Sequence, residues 1–122
     1  MSVRGGRETP RHNLKAARAN LLEISPPCLK KANDVFQIDE PVKLRRQVVA
    51  LFHSLVETDF CHVEKMGETR RGPLEGDVYG KVVDEVLWFI KIRVVKKTVI
   101  MSCHEAERDL TLANGTVLKG TQ

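Results

Sequence analysis

The chain has 122 residues, 42% hydrophobic and 30% charged, which suits one ordinary globular domain with a buried core. No window approaches the roughly 18 apolar residues that cross a bilayer, and no apolar stretch follows the basic N-terminus to act as a secretory signal, so a cytoplasmic protein without a membrane partner is expected. The formal charge of +4 is uneven, with seven Lys/Arg against two acids in residues 1–31, a net +5, and −1 over the remainder.

Residues 1–12, with Gly5-Gly6 and several charges, read as a mobile basic tail. A clustered positive segment of this kind attracts phosphate backbones. It serves equally as a solvated arm or as a landing site for an acidic partner. Over residues 14–24 the apolar positions Leu14, Ala17, Leu21, Leu22 and Ile24 fall near helical spacing, with Asn13 able to cap the start. Ser25-Pro26-Pro27 ends that helix, because proline disfavours helical geometry in the residue before it. Residues 28–36 suit a short second helix, and 37–40 a connection.

Pro41 opens the strongest helical pattern. Its fixed φ suits a first turn, and Asp39 or Glu40 can cap it. Val48, Val49, Phe52, Leu55 and Val56 form one apolar stripe, which predicts a helix to about residue 58 that covers the core. Residues 63–76 are rich in charge and glycine and read as a loop. Strands are predicted over 77–83, 86–95 and 98–104, the last two joined through a tight turn at Lys96-Lys97. Asn114-Gly115, between Leu112 and the pair Val117 and Leu118, predicts a terminal hairpin. Helices first and an antiparallel sheet afterwards make an α+β domain, spanning residues 13–104, with 105–122 as a C-terminal extension.

Cys28, Cys61 and Cys103 are odd in number and form no Cys-x-x-Cys pair, so reduced thiols are expected rather than a disulfide framework. Two of them form Cys61-His62 and Cys103-His104. Neighbours on a strand point to opposite faces, so such dipeptides rarely give two ligands to one metal, and no metal or cofactor is expected. Phe89, Lys91 and Arg93 share one face of a predicted strand. An aromatic and two cations in a row make either a phosphate-and-base platform, with Tyr79 beside it, or a plain solvated face.

The motifs Asp59-Phe60, Gly76-Asp77-Val78-Tyr79, Phe89-Ile90-Lys91-Ile92 and Val99-Ile100-Met101-Ser102 occur in an order that resembles the motility quorum-sensing regulator (MqsR) family. These are the toxin halves of bacterial toxin–antitoxin pairs. The similarity extends over roughly residues 7–105, and includes Thr9-Pro10 ahead of Leu14. It implies a RelE-like fold of N-terminal helices packed on a small antiparallel sheet, to which the terminal hairpin is an addition. It also implies an mRNA endoribonuclease that needs no metal and is silenced by a cognate antitoxin protein.

Such chemistry needs a base for the ribose 2′-hydroxyl, cations for the developing charge, and an acid for the leaving oxygen. Lys91 and Ser102 match the family pattern. His62 stands where the family has lysine, Gly76 where it has glutamine, and Phe89 where it has tyrosine. Histidine moves protons near neutral pH, so His62, Lys91 and His104 are the candidate catalytic groups. Tyr79, Phe89, Arg93, Lys65, Arg70 and Arg71 are the candidate RNA contacts. The residues also permit a catalytically inactive RNA- or protein-binding module, or a protein whose sheet edge or hairpin pairs with a partner strand.

Overall fold

The computed structural model describes residues 9–120. In chain order the elements are α1 (Leu14–Ala19), β1 (Leu22–Ile24), α2 (Pro26–Phe36), α3 (Pro41–His53), a 3-10 turn (Glu57–Asp59), β2 (Phe60–Thr69), β3 (Gly72–Val83), β4 (Val86–Val94), β5 (Thr98–Glu105), β6 (Leu110–Thr111) and β7 (Val117–Leu118). The fold is α+β. Five strands form one sheet in the order β1-β5-β4-β3-β2, and β6 and β7 form a separate two-stranded hairpin.

The sheet is mixed, not purely antiparallel, because β1 runs parallel to β5. The predicted first helix is split accordingly. Asn13 caps α1 as expected, with Oδ1 accepting the Ala16 N–H at 2.9 Å. The helix stops at Ala19, and Asn20 Oδ1 accepts the Leu21 N–H at 2.9 Å. The chain then turns extended, and Thr98 N–H donates to Leu21 O at 2.8 Å. Three residues are too few to show strand periodicity in the sequence, so tertiary pairing decides this element. The predicted helix from Pro41 also ends early, at His53. Ser54 Oγ donates to Leu51 O at 2.6 Å, and the chain tucks Leu55 into the core while leaving Val56 exposed.

Residues 63–76, read from composition as a loop, are the paired ends of β2 and β3. This hairpin is exposed over its outer half, so neither face imposes an apolar alternation. Its backbone supplies the order, with irregularities in register between Phe60 and His62 and between Lys65 and Gly67. The turn at Arg70-Arg71 closes through Gly72, whose φ of 118° lies in the region that favours glycine. The β3–β4 turn places Asp84 and Glu85 both at positive φ, the primed geometry that matches strand twist.

The helices cover one face of the sheet. Leu44, Val48, Leu51, Phe52 and Leu55 pack with Tyr79, Trp88, Ile90, Ile92, Ile100 and Cys103 into the main core. A second, smaller core lies on the other face, where the predicted Asn114-Gly115 hairpin folds back so that Leu112 packs on Cys61 and Val78. Ala106 N–H donates to Leu87 O at 2.8 Å and Ala113 N–H to Phe60 O at 2.7 Å, tying this extension to the sheet.

Residues 1–8 of the predicted tail lie outside the described residues, but Arg11 and His12 belong to the fold. Their backbone N–H groups donate to Asp77 Oδ1 and Oδ2 at 2.8 and 2.9 Å. Asp77 is fully buried on the helix side of β3. Burial raises its pKa, and the two N–H donors oppose that rise. A raised folded pKa means that ionisation works against the fold, so this group's contribution declines as pH climbs from the ordinary Asp range through the raised value.

Asp77→Ala leaves two backbone donors without an acceptor and is expected to cost about 3 kcal/mol. Urea denaturation and amide exchange at Arg11 and His12 check this, with Asp77→Asn milder. Gly80 is pressed by the extension, since a Cβ there would meet Leu110 Cδ1 at 2.9 Å and Cys61 Sγ at 3.3 Å. Gly80→Val is therefore expected to cost about 1–3 kcal/mol. It should speed amide exchange and proteolysis in residues 106–118 while far-UV helicity persists.

Candidate functional site

The sheet face away from the helices carries a row of residues set by register. His62 on β2 pairs with Val78 on β3, Val78 with Lys91 on β4, and Lys91 with Ser102 on β5. Facing side chains from four strands thus lie in one line. Lys91 follows the predicted alternation, because its neighbours Ile90 and Ile92 are buried beneath the helices.

Glu64, which the sequence reading did not single out, ties the row together. Its Oε1 accepts from Lys91 Nζ at 2.8 Å, and its Oε2 lies 3.7 Å from His62 Nε2. Glu64 pairs with Gly76, so it must reach over β3 to meet Lys91. Gly76 leaves the passage open: a Cβ there would stand 3.1 Å from Lys91 Cγ and 3.1 Å from Met66 Cε. The available signal was the two-residue spacing of His62 and Glu64, which puts both on one strand face. It was hidden by reading residues 63–76 as a loop.

The Lys91 ammonium hydrogen-bonded to Glu64, with His62 beside it, holds that carboxyl below the usual range against a smaller opposing effect of burial. A depressed folded pKa stabilises the fold above the unfolded carboxylate value, and that contribution is lost as pH falls through the folded one. The pair is partly solvated, so its worth is under about 1 kcal/mol. The chemical consequence is larger. Lys91 has an internal counter-ion, and a phosphate that binds Lys91 must displace Glu64.

The third candidate group, His104, lies farther along the same face. Its ring stacks on Phe89 with centroids 4.9 Å apart, and its Nδ1 is 3.0 Å from Glu105 O. A carbonyl only accepts, so Nδ1 carries the proton and donates. In the neutral ring Nε2 is then the acceptor. Phe89 is no open stacking platform, because His104 covers one side and the extension packs on it as well. Phe89 and His104 instead border a cleft of about 640 Å³ between α2 and residues 105–110, lined also by Lys31, Asp34, Glu105 and Arg108.

The remaining candidates separate. Tyr79 is fully buried under the helices, edge-on to Phe60 at 5.7 Å, and cannot meet RNA. It pairs with Ile90, so its strand parity is that of the core. Burial pushes its hydroxyl pKa up, and that hydroxyl has no hydrogen-bond partner among the described residues. Arg93 is half-buried, and its Nε is enclosed without a partner among the described residues. Lys65 projects from β2 and pairs with Glu68 at 2.8 Å. Arg70 and Arg71 stand exposed at the hairpin tip, well along the strands from Lys91.

Among the described residues no group of three or more His, Cys, Asp or Glu gathers to hold a metal ion. The Cys-His dipeptides divide as alternation predicts at Cys103-His104, where Cys103 faces the helices and His104 the cleft. Cys61 is buried under the extension, which pushes its thiol up to about 12.

Glu64→Gln removes the counter-ion and is expected to tighten RNA binding several-fold at low salt. The slope of log affinity against log salt should steepen by about one phosphate contact. Fluorescence anisotropy across a salt series checks this; unchanged affinity and slope would mean that Lys91 does not meet phosphate. No protein-family model, curated protein or solved structure matches this chain.

Proposed function

We propose that the protein is an MqsR-like toxin: a metal-independent mRNA endoribonuclease of RelE-like type, acting in the cytoplasm and held in check by a cognate antitoxin. The observation that carries this reading is the single row of His62, Lys91 and Ser102, bridged by Glu64, on the sheet face opposite the helices.

In this reading the phosphate of the scissile link displaces Glu64 and takes the Lys91 ammonium, which then stabilises the charge that develops as the 2′-hydroxyl attacks. His62 removes the 2′-hydroxyl proton, and the freed Glu64 holds the resulting imidazolium. The leaving 5′ oxygen is protonated by water, or by His104 in its imidazolium form, in which Nε2 also carries a proton. Arg70, Arg71 and Lys65 on the projecting β2–β3 hairpin supply diffuse attraction for the RNA backbone. The residue pattern of the MqsR family supports the same assignment of Lys91 and Ser102.

A second reading has a specific observation of its own. The extension covers Val78, Cys61 and part of Phe89, and Glu64 already neutralises Lys91. A face so occupied also suits a catalytically inactive relative that binds RNA or a protein partner.

Incubation of the purified protein with a long mRNA in EDTA, with and without ribosomes, separates the two. Discrete new 5′ ends are expected. Lys91→Ala and His62→Ala should each lower the cleavage rate by about 10²-fold or more while the thermal transition stays cooperative. Salt-sensitive binding with intact RNA in both conditions would establish the inactive form, and cleavage unchanged in both variants would displace the site.

A further inference from the structure

Two nucleophilic groups lie outside the site and on the other face of the sheet. Cys28 sits in the first turn of α2, its N–H donating to Ser25 Oγ at 3.3 Å. Cys103 lies on β5 and faces the helices. The two side chains are almost fully buried, at 2% and 1% exposure, and hydrogen-bond thiol to thiol. Their backbones are also held together, because Ser25 N–H donates to Ile100 O at 3.2 Å and Ser25 Oγ to Met101 O at 3.4 Å. Two thiols in contact on tethered segments meet the first condition for a disulfide, closeness of the carriers.

We propose that Cys28 and Cys103 form a reversible disulfide, a redox staple between the start of α2 and β5. The roles of the thiols are unequal. Hydrogen bonding from Cys103 lowers the Cys28 thiol, whereas the same bond together with burial raises Cys103. Cys28 also lies in the first turn of α2, where the positive end of the helix favours a thiolate, so Cys28 is the attacking group and Cys103 the resolving one. With a peroxide as oxidant, the Cys28 thiolate attacks one peroxide oxygen. An S–O bond forms, the O–O bond breaks, and the departing hydroxide takes a proton to become water. Cys103 sulfur then attacks Cys28 sulfur, forming S–S and expelling the sulfenic oxygen with the Cys103 proton as a second water. Two thiols are oxidised and one peroxide is reduced to two waters.

Both thiols are buried, so an oxidant reaches them through local opening, and the exposed Pro26 and Pro27 put solvent beside the helix end that carries Cys28. The staple would fix one wall of the cleft against the other. Lys31, Asp34 and Val35 follow Cys28 on α2, while His104 and Glu105 follow Cys103 on β5. Cys61 cannot compete intramolecularly, because it is buried on the opposite face under the extension.

The test is titration of the folded, reduced chain with hydrogen peroxide, followed by acid quench, denaturation, alkylation and peptide mass analysis. The expected product is monomeric, lighter by two hydrogens, yields a linked Cys28–Cys103 peptide, and returns to two thiols with dithiothreitol. Cys61→Ser should form it equally, and Cys28→Ala should not. The oxidised form should melt at a higher temperature than the reduced form. Both thiols still open to alkylation after oxidation, a bridge to Cys61 or between chains, or a lower melting temperature on oxidation would each overturn the proposal.

Discussion

Five consecutive residues of β3, Gly76 to Gly80, are buried, and this two-sided burial organises the rest of the molecule. Asp77 and Tyr79 point to the helices, and Gly76, Val78 and Gly80 to the other face. A strand enclosed on both sides needs two coverings. The helices supply one over the main core, and the C-terminal hairpin supplies the other through Leu110 and Leu112. Glycine at positions 76 and 80 lets side chains from neighbouring elements pass close over the strand. At Gly80 the passing group is Leu110, which seats the extension, and at Gly76 it is the ion pair of Glu64 and Lys91. Asp77 carries the same strand's influence to the N-terminal segment by accepting two backbone N–H groups.

The candidate site inherits its properties from that arrangement. Lys91 keeps only 16% of its side-chain surface, with Val78 buried beside it and Glu64 on its ammonium. A cation in such surroundings is oriented but not available at rest. An anion that takes Lys91 must first displace Glu64, and in the proposed function a polyanion makes that exchange because its other phosphates meet further positive charge. The exposed Arg70 and Arg71 at the hairpin tip offer that charge on the same sheet.

Sequence reading and structure agree where burial is one-sided and the pattern is long. Val48 and Phe52 on α3, the alternation of β4 from Phe89 to Arg93, and the Asn114-Gly115 turn are of this kind. Disagreement gathers where local pattern is weak. The outer half of the β2–β3 hairpin has two exposed faces, so its residues carry charge and glycine without alternation and look like a loop. β1 is only Leu22–Ile24, and a parallel partner far along the chain makes it a strand. Tyr79 was misplaced for a different reason. It was expected beside Phe89, Lys91 and Arg93 on the adjacent strand, whereas its pairing with Ile90 set it on the core side.

The sequence by itself determined an α+β domain, the positions of its main helix and central strands, and the shared face of Phe89, Lys91 and Arg93. These follow from periodicities of 3.6 and 2, which depend only on neighbours in the chain. Tertiary structure alone decided that Glu64 and His62 join Lys91, that the extension packs on part of the face they share, and that Cys28 meets Cys103. Each of these contacts is fixed by strand register or by the seat of a helix on the sheet. Those depend on cross-strand pairing and side-chain volume between distant residues, and no local pattern encodes them.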